Sequence, residues 1–381
     1  MTLLHAVAGT AAREVPAPPP ARAALRLALL GVQHRRGLWL AGATGVLAFV
    51  ALLSVSLGVG SLGPARLLWA AWAALTGTFT GTPAAQPISA TEWAVLADLR
   101  LPRTVMAIVC GAGLSMAGVA MQGITRNPLV SPYTLGISPA AAFGASLAIL
   151  FGWAQWPLWG PYLTVAAAFS TAMLCAVVVL GLATLRGVNA VVLVLAGVGL
   201  TYLFGALTAS VQFVASDQQL AAIVHWTFGT LNGRTWAEVA VAGGVWLLCL
   251  PVLLAHASAM NAFAGGGDDV AASLGFAVGR TRALITLAAV LSAAAIVAFT
   301  GVIGFVGLVA PHIARLTIGG DHRWLLPFSA VSGALLVLVA DLIGRLAFAP
   351  VVVPVGIVVA FVGVPLFLHL LLTRRHEMGS T

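Results

Sequence analysis

Lysine is absent from this 381-residue chain: all 18 basic side chains are arginine, set against 10 acidic ones. That absence excludes two chemistries. A phosphate-binding P-loop uses a lysine to reach the nucleotide phosphates, and imine formation on a carbonyl or pyridoxal group needs an amine nucleophile. If ATP takes part, another subunit binds it. Charge of either sign is scarce, at 7% of residues, where soluble globular chains carry roughly a quarter, so no soluble surface can be assembled. Cysteine is nearly missing too. Cys110, Cys175 and Cys249 all lie in apolar runs, which excludes a disulfide framework and a close-spaced metal site.

What is abundant is apolar: 61% of the residues, with a mean hydropathy of +1.06. Such a chain is solvated mostly by lipid, and the expected class is an all-α polytopic membrane protein. The net charge of +8 does not point to nucleic acid, because the arginines are scattered between apolar segments without an aromatic platform.

Residues 1 to 37 join Arg13, Arg22, Arg26, Arg35 and Arg36 to Pro16, Pro18, Pro19 and Pro20, and are expected to form a flexible cytoplasmic tail. The membrane domain is expected over 38 to 372, with a short cytoplasmic tail at 373 to 381. The first apolar run, 38 to 60, is too long for a signal-peptide core and should stay as an anchor. Further spans are expected at 104 to 124, 133 to 152, 161 to 185, 190 to 213, 237 to 257, 283 to 300, 302 to 317, 324 to 348 and 355 to 372, ten in all. The eighth is short enough to be a half-span or re-entrant turn. Ten crossings put both termini inside and leave most arginines, among them Arg126, Arg186, Arg280, Arg282, Arg315, Arg323, Arg374 and Arg375, on the cytoplasmic side. Arg66, Arg100, Arg103, Arg234 and Arg345 fall outside, as the positive-inside rule favours. Trp153, Trp156 and Trp159 fit an outer interfacial belt.

Four stretches depart from plain lipid-facing helix. Leu99-Arg100-Leu101-Pro102-Arg103 presents two guanidinium groups three residues apart, with Pro102 suited to a helix's first turn. Gln122-Gly123-Ile124-Thr125-Arg126-Asn127-Pro128-Leu129 must leave its helix near Asn127, which Pro128 biases away from helical geometry, and Ser131-Pro132-Tyr133-Thr134-Leu135-Gly136 continues an inner hairpin. Between 261 and 282, three glycines precede Asp268-Asp269-Val270-Ala271-Ala272-Ser273-Leu274-Gly275. Asp268 suits an N-cap and Gly275 a stop for a short surface helix, though a solvated turn fits as well. Last, Gly301-Val302-Ile303-Gly304-Phe305-Val306-Gly307-Leu308-Val309-Ala310-Pro311-His312-Ile313-Ala314-Arg315 has glycines that permit unwinding, and irregular backbone at membrane depth belongs against protein or a cavity. On the fifth span, Gly197, Thr201, Gly205 and Ala209 recur every four residues with Gln212 beyond, a stripe suited to helix packing or to lining a path.

Together, RNPL, GxIGFxGLxxPHxxR, Asp321-His322-Arg323, Ala340-Asp341 followed by Arg345, and Pro354-Val355-Gly356-Ile357 resemble the permease subunit of ABC importers for ferric siderophores, haem and vitamin B12, the iron-chelate uptake permease family, over about 96 to 372. The resemblance implies the type II ABC importer permease architecture: a homodimer of ten-span subunits in the bacterial inner membrane, two cytoplasmic ATPase subunits that bind ATP and Mg, and a periplasmic substrate-binding protein. This chain would hold no cofactor or metal and perform no chemistry. The resemblance further implies that 261 to 280 couples to the ATPase through Asp268, Asp269, Ala271, Leu274 and Gly275. Arg100, Arg103 and Arg345 would dock the binding protein, although Asp341, four residues before Arg345, can satisfy that guanidinium internally. Gly197, Thr201, Gly205 and Gln212 would border the central path. The sequence departs from the family at Gly266, commonly apolar, and at Val353, often acidic. A ferric siderophore is the expected cargo, before haem and a corrinoid.

Two other readings compete. Gly113-Leu114-Ser115 and Gly136-Ile137-Ser138 superficially match serine-nucleophile contexts, and an intramembrane protease would need a base beside one of them. A free-standing channel or proton-coupled carrier would need ionisable groups along its path, and Asp341 is the one acid well inside an expected span.

Overall fold

The computed structural model describes residues 21–57, 66, 89–185, 190–347 and 349–373. The first 20 residues of the expected tail, most of the connection at 61 to 100, Arg186 and the chain beyond 373 lie outside the described residues. The helices are α1 (Ala21–Ser56), α2 (Ala90–Ala94), α3 (Leu101–Thr125), α4 (Ile137–Leu150), α5 (Gly160–Leu185), α6 (Ala190–Val214), α7 (Asp217–Thr227), α8 (Trp236–Ala255), α9 (Ala257–Ser273), α10 (Val278–Thr300), α11 (Val306–Ile318), α12 (His322–Leu346) and α13 (Val355–Thr373). Among the described residues, seven helical stretches are long and apolar enough to cross a membrane, and α4, α11 and the apolar part of α13 are shorter apolar helices.

Two expected boundaries change. α1 begins at Ala21, inside the stretch expected to be a flexible tail, because the run after Pro20 is rich in Ala, Leu and Arg, all strong helix formers. Its Leu40, Ala43, Leu47 and Val50 form one stripe that packs on the core. Ahead of α3 the chain is already helical: α2 leads into a π-helical turn, Val95–Arg100, in which the N–H of Leu101 bonds to the carbonyl of Leu96. Pro102 brings no N–H, and its ring would crowd the carbonyl four residues back; widening the turn relieves that crowding.

α3 and α10 form the buried centre, while α1, α5, α6 and α8 present most of their surface outward. α3 pairs with α12 antiparallel along its whole length. Arg103 meets Asp341, Gly111 meets Gly333, and Ser115 meets Ser329. The crossing at Gly111 is so close that a Cβ there would fall 2.2 Å from the carbonyl oxygen of Gly333. Small residues let backbones approach in this way where lipid offers no hydrophobic driving force.

α11 has 13 residues, hence a rise of about 20 Å, which is short of a hydrocarbon core of roughly 30 Å. It follows an unwound stretch, 301 to 305, so the helix covers only part of the eighth expected span.

Candidate functional site

Polar side chains gather at the two ends of the α3–α12 pair, with the unwound chain before α11 packed beside α3. At the first end, Asp341 is buried on α12 and accepts from Arg103 Nε at 2.9 Å, with Arg103 Nη2 at 2.8 Å. Arg345 Nε lies 3.1 Å from its other oxygen. Arg103 also donates to Asn232 Oδ1 at 3.1 Å, and Arg345 donates to the carbonyl and hydroxyl of Ser54 at 3.0 and 2.8 Å. Arg100 is buried and donates to the carbonyls of Val55 and Ser56 at 2.9 and 3.2 Å. These carbonyls belong to the last turn of α1, which has no intrahelical donors left.

Arg100, Arg103 and Arg345, expected to dock an acidic partner, also have partners within their own subunit. All three guanidinium groups are engaged inside the subunit, tying α1, α3, α12 and the loop at Asn232 together. Arg345 pairs with Asp341 one helical turn away, and Asp341 serves Arg103 as well. An acid held by two arginines is also ill suited to a proton relay.

At the other end, Asp321 caps α12 and accepts from Asn261 Nδ2 at 2.8 Å, with Arg36 of α1 at 3.4 Å. Burial alone would raise the Asp321 carboxyl, but the hydrogen bonds from Asn261 and the Arg323 N–H, with the charges of Arg36 and Arg323, outweigh it and hold the group below its ordinary value. Asn261 Oδ1 in turn accepts from the backbone N–H of His322 at 2.8 Å. Arg315 donates to Gln122 at 3.0 Å, joining α11 to the end of α3.

The segment expected to couple to an ATPase lies at this end. Two helical pieces meet here at a break, Gly267, with φ 76° and ψ −156°, a region open essentially to glycine alone; the second piece starts at Asp268, as expected, and follows directly on a longer one from Ala257. Asp268 does not behave as a plain N-cap, since its carboxylate forms a two-point ion pair with Arg282 of α10, one contact at 3.1 Å. The stop at Gly275 is a Schellman motif: Gly275 has φ 86°, and the N–H groups of Gly275 and Phe276 bond to the carbonyls of Ala272 and Ala271 at 2.9 and 3.0 Å. Ala271 is buried, whereas Asp269, Val270 and Leu274 are exposed, so a short apolar projection faces outward between two chain reversals.

The carbonyls around 301 to 305 find partners at depth, as apolar surroundings require. Arg234 donates to Phe299 O, the N–H of Thr230 to Thr300 O at 2.7 Å, and Tyr133 Oη to Ile303 O. Phe305 opens α11 with φ 64°, a left-handed conformation that costs a non-glycine residue of order 1–3 kcal/mol. Beside it is a groove of about 430 Å³ lined by Ser131, Tyr133, Thr134, Thr201, Tyr202 and Phe305, among others.

The stripe on α6 divides. Gly197 packs against the hairpin, where a Cβ would lie 2.3 Å from Thr134 O; Thr201 lines the groove; Gly205 and Ala209 face outward; and Gln212 is half-buried near the helix end. Sequence reasoning missed Arg282, Gly267 and Phe305. A φ above zero was foreseeable at glycine but carries no signal at phenylalanine.

Ser115 sits buried against the carbonyl of Ser329 at 2.7 Å and against its hydroxyl, with no imidazole among its hydrogen-bond partners in the described residues. The nucleophile reading of Gly113-Leu114-Ser115 thus loses its base.

The sequence pattern of the FecCD transport family matches residues 39–373. The hemin transport system permease protein of Yersinia pestis is 35% identical over 76% of this chain and 86% of its own length. The cobalamin import system permease protein of Halobacterium salinarum is 38% identical over 80% of each chain. The Fe(3+) dicitrate transport system permease protein of Escherichia coli K12 is 36% identical over 74% of this chain and 86% of its own. A solved structure described as an inward-facing conformation of a metal-chelate type ABC transporter superposes with a TM-score of 0.75 at 29% identity, covering 88% of this chain and 98% of that one. Since the pattern runs from the first long apolar helix to the end of α13, the chain belongs to the FecCD transport family.

Proposed function

We propose that this chain is the permease subunit of an ATP-driven importer, carrying a ferric chelate inward across the bacterial inner membrane. The observation that carries the reading is family membership over 39–373, joined to an exposed apolar turn at Val270 and Leu274 of the kind a motor subunit can grip. Seven long and three shorter apolar helices support ten crossings with both termini inside. The working unit is a homodimer with two ATPase subunits, which bind ATP and Mg, and an external substrate-binding protein.

The mechanism is alternating access. Nucleotide-bound ATPases prefer one permease shape, and only such a difference in affinity can shift the equilibrium between gate states. The unwound chain at 301 to 305, the groove at Tyr133 and Thr201, and the outward small residues of α6 border the path. Relatives at similar identity are named for Fe(3+) dicitrate, hemin and cobalamin, so cargo is decided by trial. Proteoliposomes holding the permease, its ATPase and its binding protein are to be assayed for uptake of a ferric hydroxamate, ferric citrate, hemin and cobalamin. ATP-dependent uptake of a ferric chelate is expected; uptake of hemin or cobalamin alone would overturn the cargo assignment.

A further inference from the structure

Arg282 is nearly inaccessible, yet its guanidinium touches three residues on two other stretches of chain. It forms the two-point ion pair with Asp268, lies over the Phe263 ring at 5.1 Å from the centroid, and donates to the carbonyl of Ile124 at 3.5 Å in the last turn of α3. Each contact suits a planar cation: a forked acceptor, an aromatic face, and the negative end of a helix. The break at Gly267 makes the arrangement possible. Glycine is required there twice over, since its φ is positive and a Cβ on it would lie 2.3 Å from Arg126 Nη1. Arg126 itself closes α3 in a left-handed conformation, φ 54°.

We propose that Arg282 is a positioning residue that clasps the segment from Asp268 to Leu274 onto α10 and onto the end of α3. A push received at Leu274 then moves these helices as one body instead of bending the segment at Gly267. This role rests on the reading of that segment as the ATPase contact, and it adds the route by which the push enters the membrane. Two pieces of chain pivot about the same cation: α9, through Phe263 and Asp268, and the buried α3, through Ile124. Lysine in place of Arg282 would keep the charge but lose the fork and most of the stacking.

The test uses the full chain in lipid nanodiscs, spin-labelled at cysteines introduced for Ala272 and Gly279 in one sample and for Ala272 and Leu129 in another. All three sites are exposed, while the native cysteines are buried. Narrow distance distributions are expected for both pairs in the parent protein. D268N should widen both, and D268E, which keeps the carboxylate, should narrow them again. In the assembly with its ATPase, the ATP-dependent shift of the Ala272–Leu129 distance should fall on the order of tenfold in D268N. Widths in D268N equal to the parent's, or a D268E variant as broad as D268N, would overturn the clasp. A separate variant, L274D, is assayed for capture of the ATPase. Retained capture would refute the coupling reading while the distances on the isolated permease still judge the clasp.

Discussion

The two ends of the α3–α12 pair use the same chemistry in opposite ways. At Asp341 every partner is withdrawn from solvent: the carboxylate side chain is 1% exposed and each arginine 11%. At Asp268 the arginine is 3% exposed but the carboxylate is 47% exposed. A pair with both members buried is a fixed staple, since breaking it strands a charge in low dielectric. A pair with one anchored and one reachable member holds an element that another protein can still touch. The difference assigns stability to the first end and, on the proposed function, communication to the second.

The largest effect should come from breaking the staple. Asp341→Ala leaves Arg103 and Arg345 facing each other without their shared anion and should cost roughly 3–5 kcal/mol, read as a lowered thermal midpoint in detergent. A midpoint within error of the parent would remove the contrast between the ends. Next, Gly111→Ala forces α3 from α12 and should cost about 1–3 kcal/mol, measured in the same way.

Smaller still is the Asp321 end. Its carboxyl is held below the ordinary value, so its contribution is present above the unfolded-state pKa and is lost as pH falls through the lower folded one. The thermal midpoint should therefore decline on acidification below the ordinary carboxylate range, and Asp321→Asn should flatten that part of the decline. The smallest stability effect belongs to Leu274→Asp, within about 0.5 kcal/mol for an exposed position. That variant should nevertheless lose ATP-driven uptake, sharpening the distinction between an end that holds and an end that signals.

Local features of this architecture were legible because they depend on local chemistry. Gly275 ends its helix, Pro128 turns the chain, and the glycines at 301 and 304 unwind it, each for a reason contained in a few neighbouring residues. The staple was only half legible. Arg345 lies one helical turn from Asp341, so their pairing can be read from spacing, but Arg103 is 238 positions away and reaches Asp341 only through the antiparallel packing of α3 on α12. The same limit hid Arg100, whose partners are main-chain carbonyls of α1 and leave no trace in side-chain identity. At the end proposed for coupling, the acids and the stop were visible, but the residue that holds them was not. Arg282 reads as one more positive-inside arginine until the fold brings Phe263, Asp268 and Ile124 around it.

The most direct test of the central claim, that an external motor grips this subunit at its inward turn, is labelling of Leu274→Cys with a membrane-impermeant maleimide. No reaction is expected in intact cells, whereas reaction is expected in inverted vesicles stripped of the ATPase, with protection when the ATPase is restored. Labelling of that cysteine from outside intact cells would contradict it.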